Sequence, residues 1–325
     1  MKIFTLIVLL SILSLSSNGQ VIKGTVYDRQ TNDSICYATI YLNGTFVGTS
    51  SNQNGYFELD VSEYNTMPLT ISAIGYYSIT LTNYLKTDYL NIYLEPKTYE
   101  LGEATVMDKS LEKKRKRYLK LFRAEFLGTT DNARKCIIKN EQDITFNYDS
   151  DIDTIKAYAL NPLQIVNNAL GYRITYYLDK FEYYKNSDAT YFSGNMVFQE
   201  DMDTGELTNQ LIRRRREIAY LGSRMHFIRM LWSDDIESSD FVILNQFYEP
   251  VLVSDIVVEY NNNKFIKDAG KLLVTYLDRS STLEFYADYI YFEKTGFFNP
   301  GIKWSGDMGF QRVADWLPYE YSFEE

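Results

Sequence analysis

The chain contains a single histidine, His226, among 325 residues. That scarcity is a strong exclusion. A zincin site needs H-E-x-x-H, and a facial-triad iron site needs two histidines and a carboxylate, so neither can be built here. A Ser-His-Asp triad would have to use His226. Its neighbouring serine, Ser223, lies in no G-x-S-x-G elbow. No P-loop and no G-x-G-x-x-G is present, so the common phosphate cradles are missing too. Positive charge is also in short supply. The formal net charge is -10, whereas nucleic-acid partners demand a net basic face. We therefore expect no nucleic-acid partner.

Cysteine is nearly absent, with Cys36 and Cys136 the only two. Both sit in strand-like apolar runs, "SICYATIYL" and "KCIIKN", and are read as two separate buried thiols rather than a disulfide. Neither has a histidine nearby to make it a nucleophile. Long apolar runs are confined to the N-terminus. There, Lys2, the core "IFTLIVLLSILSL" and the small residues Ser17 to Gly19 predict a signal peptide over 1–19, too short to span a bilayer comfortably. No cysteine is placed there for a lipid anchor. No later run suggests a transmembrane segment, so an exported chain is expected, whether periplasmic, outer-membrane-associated or secreted.

Aromatic residues, by contrast, make up 16% of the chain, which excludes disorder and suits pleated sheets. Residues 20–107 alternate and turn like a small antiparallel sandwich. Strand candidates are "VIKGTVYD", "CYATIYL", "TFVGTSS", "GYFELDV", "LTISAIG", "YYSITLT" and "YLNIYLE". Asn43-Gly44 and Asn54-Gly55 supply turn chemistry between them. Residues 108–127 predict a basic linker helix, with Leu111, Tyr118, Phe122 and Phe126 on one face. Residues 128–325 read as a mixed α+β domain. In it "QDITFNYDS" and "DTIKAYALN" form a hairpin, and "PLQIVNNAL" a short helix between Pro162 and Gly171. "YRITYYLDKFEYY" and "TYFSGNMVFQE" are paired strands. Two helices break at Gly222-Ser223, and a strand-rich tail includes "GFQRVADWLP".

The first domain resembles a carboxypeptidase-like regulatory domain. Gly24, Val26 and Asp28 fit its G-x-V-x-D element. Ala38, Ile40, Leu42, Gly44 and Thr45 fit the next, then Gly48, Thr49, Gly55 and Phe57. Ile71, Ser72, Gly75 and Tyr76 fit I-S-x-x-G-Y, and Leu101 and Glu103 the last element. Asn52 replaces the usual aspartate, and the usual proline is lost near Ser34 to Cys36. The resemblance implies a transthyretin-like seven-stranded antiparallel β-sandwich that is not itself catalytic, in a Gram-negative cell envelope. A zinc carboxypeptidase site needs two histidines and a glutamate, which this chain cannot supply. "PLQIVNNALGYRITYYLDKF", "AYLGSRMHFIRML" and "GFQRVADWLPYEY" are similar to C-terminal regions of envelope proteins that carry this domain, regions without an assigned activity. The whole is thus mainly β with α+β.

Candidate sites are few. Asp149, Asp151 and Asp153 alternate as in a calcium loop, but Thr154 and Leu160 stand where Gly and Glu are required. "DMDTGE" reads as a turn around Gly205. Two basic clusters remain as a possible interaction surface: Lys113, Lys114, Arg115, Lys116 and Arg117, and Arg213, Arg214, Arg215 and Arg216. Each is read chiefly as a solvated helix face, with anionic lipid, glycan or an acidic partner as the functional alternative. The abundant tyrosines allow a carbohydrate platform but suit a sheet core or rim better. Ser223 is the expected N-cap of a helix over 224–233, with His226 and Arg229 on its polar side. These readings favour a non-enzymatic envelope interaction module with a protein or glycan partner and no cofactor. The alternatives are a carboxylate-dependent glycan hydrolase and a structural component of an outer-membrane assembly.

Overall fold

The computed structural model describes residues 20–64, 66–97, 109–201 and 205–323. The predicted signal peptide, Leu101 and Glu103 lie outside them, as do residues 202–204 of the "DMDTGE" turn and the side chain of Leu111. Among the described residues no helix is long and apolar enough to cross a membrane.

Seven strands form the first unit, as the alternation predicts: β1 (Val21–Asp28), β2 (Thr39–Leu42), β3 (Gly48–Ser50), β4 (Tyr56–Asp60), β5 (Leu69–Ser72), β6 (Ile79–Leu81) and β7 (Leu90–Leu94). They make two sheets, β4-β1-β7 and β3-β2-β5-β6. The sheets enclose Val26, Ile40, Leu42, Phe57, Ile71 and Ile92. One expectation needs correction: β1 and β7 pair in parallel, so the sandwich is not wholly antiparallel. This close pairing explains Gly24, since a Cβ there would lie 2.3 Å from the Leu90 carbonyl oxygen. Two motif elements far apart in sequence also meet. The Asp28 carboxylate accepts from the Gln30 and Thr31 amides and from the Tyr76 hydroxyl, and these bonds lower its pKa, the Thr31 amide most.

A second core begins with helix α1 (Lys109–Phe126). Tyr118, Phe122 and Phe126 are buried on one face, at the spacing of an amphipathic helix. They lie on a six-stranded sheet of β8 (Cys136–Ile138), β9 (Ile144–Asp149), β10 (Thr154–Ala159), β11 (Leu163–Asn167), β12 (Tyr172–Tyr184) and β13 (Ala189–Glu200). The long β12 pairs β11 near its start and β10 near its end along one edge, and β13 along the other.

Here "PLQIVNNAL" is a strand, not a helix. Leu163, Ile165 and Asn167 face inward in strict alternation, and pairing on both sides overrides the helical reading. Asn167 then accepts from the Ala169 and Leu170 amides, which turns the chain where a helix end was expected.

Helices α2 (Glu206–Tyr220) and α3 (Arg224–Ser233) follow, broken at Gly222-Ser223 as predicted. A third core packs α3 on two sheets. One joins β14 (Phe241–Asn245), β17 (Leu272–Tyr276), β18 (Arg279–Phe285) and β20 (Ile302–Gly306). The other joins β15 (Val257–Tyr260), β16 (Asn263–Lys267) and β19 (Tyr289–Phe292). Two one-turn helices, α4 (Val253–Ile256) and α5 (Asp307–Phe310), complete this unit. The tail segment "GFQRVADWLP", expected as strand, is instead the end of α5 and a 3-10 turn over Val313–Asp315. It returns to the second core, where Val313, Ala314 and Leu317 are buried.

Candidate functional site

The first unit, the second unit and the C-terminal tail meet at the β2–β3 turn. Gly44 has a φ of +79° there, a conformation that favours glycine. This turn caps the outer edge of β13, which has no strand partner on that side among the described residues. The Gly44 amide donates to the Met196 carbonyl at 2.9 Å, and the Phe198 amide to the Thr45 carbonyl at 3.0 Å. The Met196 amide donates to the Asn43 side-chain oxygen at 2.8 Å. The Tyr319 amide donates to the Gly44 carbonyl at 2.9 Å, tying in the C-terminal tail. Nearby, Tyr177 stacks on Tyr41 at 5.5 Å and shares a 2.7 Å hydroxyl contact with Thr39. The regulatory-like sandwich is thus docked through both backbone and side chains.

Beside this junction lies a cavity of about 290 Å³. Asn43 and Gly44 of the turn form part of its wall. Phe192, Met196 and Phe198 of β13, Arg224 and Met225 of α3, and Trp316, Leu317 and Tyr319 of the tail form much of the remainder. Most of this surface is aromatic or aliphatic, the usual character of a ligand pocket, and its volume stands at the lower end of such pockets. Phe192 and Trp316 stack at 6.0 Å to make a flat wall.

Arginines hold the tail in place. Arg229 donates to the carbonyls of Thr295, Tyr319 and Tyr321. Arg312 reaches the Glu125 carbonyl at 2.8 Å. Arg224 donates to the Gln311 carbonyl at 2.9 Å and packs by Trp316. Burial, with Arg312 beside it, pulls the Arg224 guanidinium down to about 10, so it is still a cation at neutral pH. Burial also pushes the Tyr319 phenol up to about 12. Asp315 is the one carboxylate among the lining residues. Its oxygens accept from Thr130 and Asn132, while burial raises its pKa.

None of the nine basic residues singled out by sequence lines the cavity. Lys113, Lys114, Lys116 and Arg117 are exposed on α1. Arg115 turns inward instead, donating to the Ile144 and Glu141 carbonyls. Arg213 and Arg214 are exposed and Arg215 is half-buried. Arg216 departs from the expected solvated face, at only 8% exposure. It donates to the Leu170 and Gly171 carbonyls and to Glu200, 4.0 Å above the Tyr172 ring.

His226 is not at the polar edge of its helix but inside. It is packed among the rings of Tyr220, Phe241 and Tyr276. Its Nδ1 accepts from the Gly222 amide at 3.1 Å, and Ser223 caps its helix as expected. Burial, aided by Arg229 and Arg279, lowers the imidazole to about 4. Cys36 is exposed, contrary to expectation, while burial pushes the part-buried Cys136 thiol up to about 12. Asp149 and Asp153 are engaged by Lys156 and Lys185. The cavity residues were missed by sequence reasoning because they come from segments spread between Asn43 and Tyr319, with no local motif.

Comparison with known proteins adds one firm match. No curated protein matches the chain. Among solved structures, one similar chain is a protein of unknown function from Bacteroides fragilis NCTC 9343, at 11% identity and a TM-score of 0.19, covering 87% of this chain and 93% of that one. Another is a 9R-lipoxygenase from Cyanothece PCC8801, at 10% identity and a TM-score of 0.19, covering 65% of this chain. This chain spans 48% of that lipoxygenase's length. Likenesses this shallow carry no argument. Residues 22–106, whose described part is the docked sandwich, match the CarboxypepD_reg-like domain.

Proposed function

We propose that the chain is a non-enzymatic binding module of the cell envelope, whose ligand group enters the junction cavity. The observation that supports this most is the origin of the walls: the regulatory-like turn, β13, α3 and the tail each contribute to one concave aromatic surface. The volume of about 290 Å³ suits a single ring, such as one sugar unit of a glycan or one side chain of a protein partner. Phe192 and Trp316 offer a face for stacking, and Arg224 a cation at the rim of the apolar wall. The predicted signal peptide motivates the envelope location. Retaining or inverting glycosidases use two carboxyl groups across the scissile bond. With Asp315 alone in this lining, and held by Thr130 and Asn132, the hydrolase alternative gains no support from the site.

A glycan array and affinity capture from an envelope extract, both with the purified full chain, test the reading. Retention of a defined glycan or one envelope protein is expected. Failure of both, or turnover of a bound glycan, would overturn it. A fixed stoichiometric complex that never exchanges would favour the structural-component alternative.

A further inference from the structure

Helix α2 carries two apolar stripes, and only one of them is used. Ile212, Arg216 and Tyr220 recur every four residues and are buried against the second unit. On the opposite side, Leu207, Leu211 and Ile218 face solvent at 79%, 54% and 61% exposure. Spacings of four and seven residues place these three in one line along the outer face. Arg214 lies on one flank of that line and Arg215 on the other. The helix acids, Glu206 and Glu217, sit further round, by Arg213.

Arg213, Arg214 and Arg215 form no ion pair with any described residue, although the chain has 43 acids. Arg216 alone of the run is paired, with Glu200. Its carbonyl bonds and the Tyr172 ring pin the inner face of the helix, so the outer face is presented on a fixed support.

We propose that the outer face of α2 docks on an anionic lipid bilayer surface. An aliphatic ridge that enters the headgroup boundary, flanked by long cationic side chains that reach lipid phosphates, is the arrangement of an interfacial helix. The unpaired arginines supply the charge complementarity. This inference does not rest on the cavity, which α2 touches only through Ala219.

Co-sedimentation of the full chain with phosphatidylglycerol–phosphatidylcholine vesicles, against pure phosphatidylcholine, tests it. The chain should bind the anionic vesicles and release with salt. Replacing Arg214→Gln and Arg215→Gln together should weaken partitioning roughly 25-fold, about fivefold per arginine. Replacing Leu211→Ser with Ile218→Ser should weaken it about tenfold or more. All four positions lie outside the packed stripe, so circular dichroism melting should be unchanged. Equal binding to neutral vesicles, no binding to either, or variants that bind like the wild type would overturn the proposal. So would a dimer that Leu211→Ser and Ile218→Ser convert to monomer, since the stripe would then cover a second copy.

Discussion

His226 shows how a side chain that invites a catalytic reading serves packing. Its ring is neutral at pH 7, because burial holds its pKa at about 4 against 6.5 for a free histidine. The unfolded chain therefore binds a proton that the native chain refuses between these values. Stability from this residue is complete above pH 6.5 and declines as the pH falls toward 4. Near pH 5 the loss should reach about 2 kcal/mol. Urea unfolding of wild type and His226→Gln at neutral pH and near pH 5 isolates it, with the variant showing the smaller decline. The arginine run divides in the same manner. Arg216→Ala leaves the Leu170 and Gly171 carbonyls without their donor and should cost about 2 kcal/mol, whereas Arg214→Ala on the exposed face should stay within about 0.5 kcal/mol. At this scale the sequence could name the residues but not their surroundings. Four consecutive arginines look alike until the helix is set against β12 and the Leu170–Gly171 turn.

Helix α1 and strand β11 show which elements can be read from sequence. Tyr118, Phe122 and Phe126 repeat every four residues among basic neighbours, so their burial followed from spacing alone. Phe122 stacks on Phe126 at 4.9 Å and meets Phe181 at 4.7 Å. Phe122→Ala should cost about 3–5 kcal/mol in chemical denaturation. The sandwich strands were also legible, from period-two alternation in β4 and β7 and from the glycine turns at Gly44 and Gly55. Strand β11 was not. Its five residues are too few for periodicity to separate strand from buried helix, and Pro162 and Gly171 supplied plausible ends for the wrong element. Only pairing with β8 and β12 on its two sides decides the matter. Helix α2 was legible as a helix but misleading as a surface, because one apolar stripe is hidden and the other is exposed.

Across the whole molecule, the regulatory-like sandwich acts as a wall and a clamp for the unit that follows it. Its β2–β3 turn satisfies backbone groups on the open edge of β13, a place where unpaired strands otherwise invite aggregation. A Cβ at Gly44 would meet the Tyr319 ring at 2.8 Å in a backbone region that L residues avoid. Gly44→Val should therefore loosen this docking by about 2 kcal/mol. Hydrogen exchange at the Met196 and Phe198 amides should then quicken by roughly tenfold or more, while the sandwich core stays protected. The assembly of the cavity could not be read from sequence, because its walls converge only when the three cores are packed together.

The most direct test of the junction cavity is calorimetric titration of the strongest glycan or partner from the capture experiments into wild type and Ala219→Phe. Ala219 lines the cavity from α2, and a phenyl ring there would occupy the space proposed for the ligand. Affinity should fall at least about tenfold, a difference of about 1.4 kcal/mol, with the melting temperature little changed. Equal affinity in the two proteins would contradict the assignment of binding to this site.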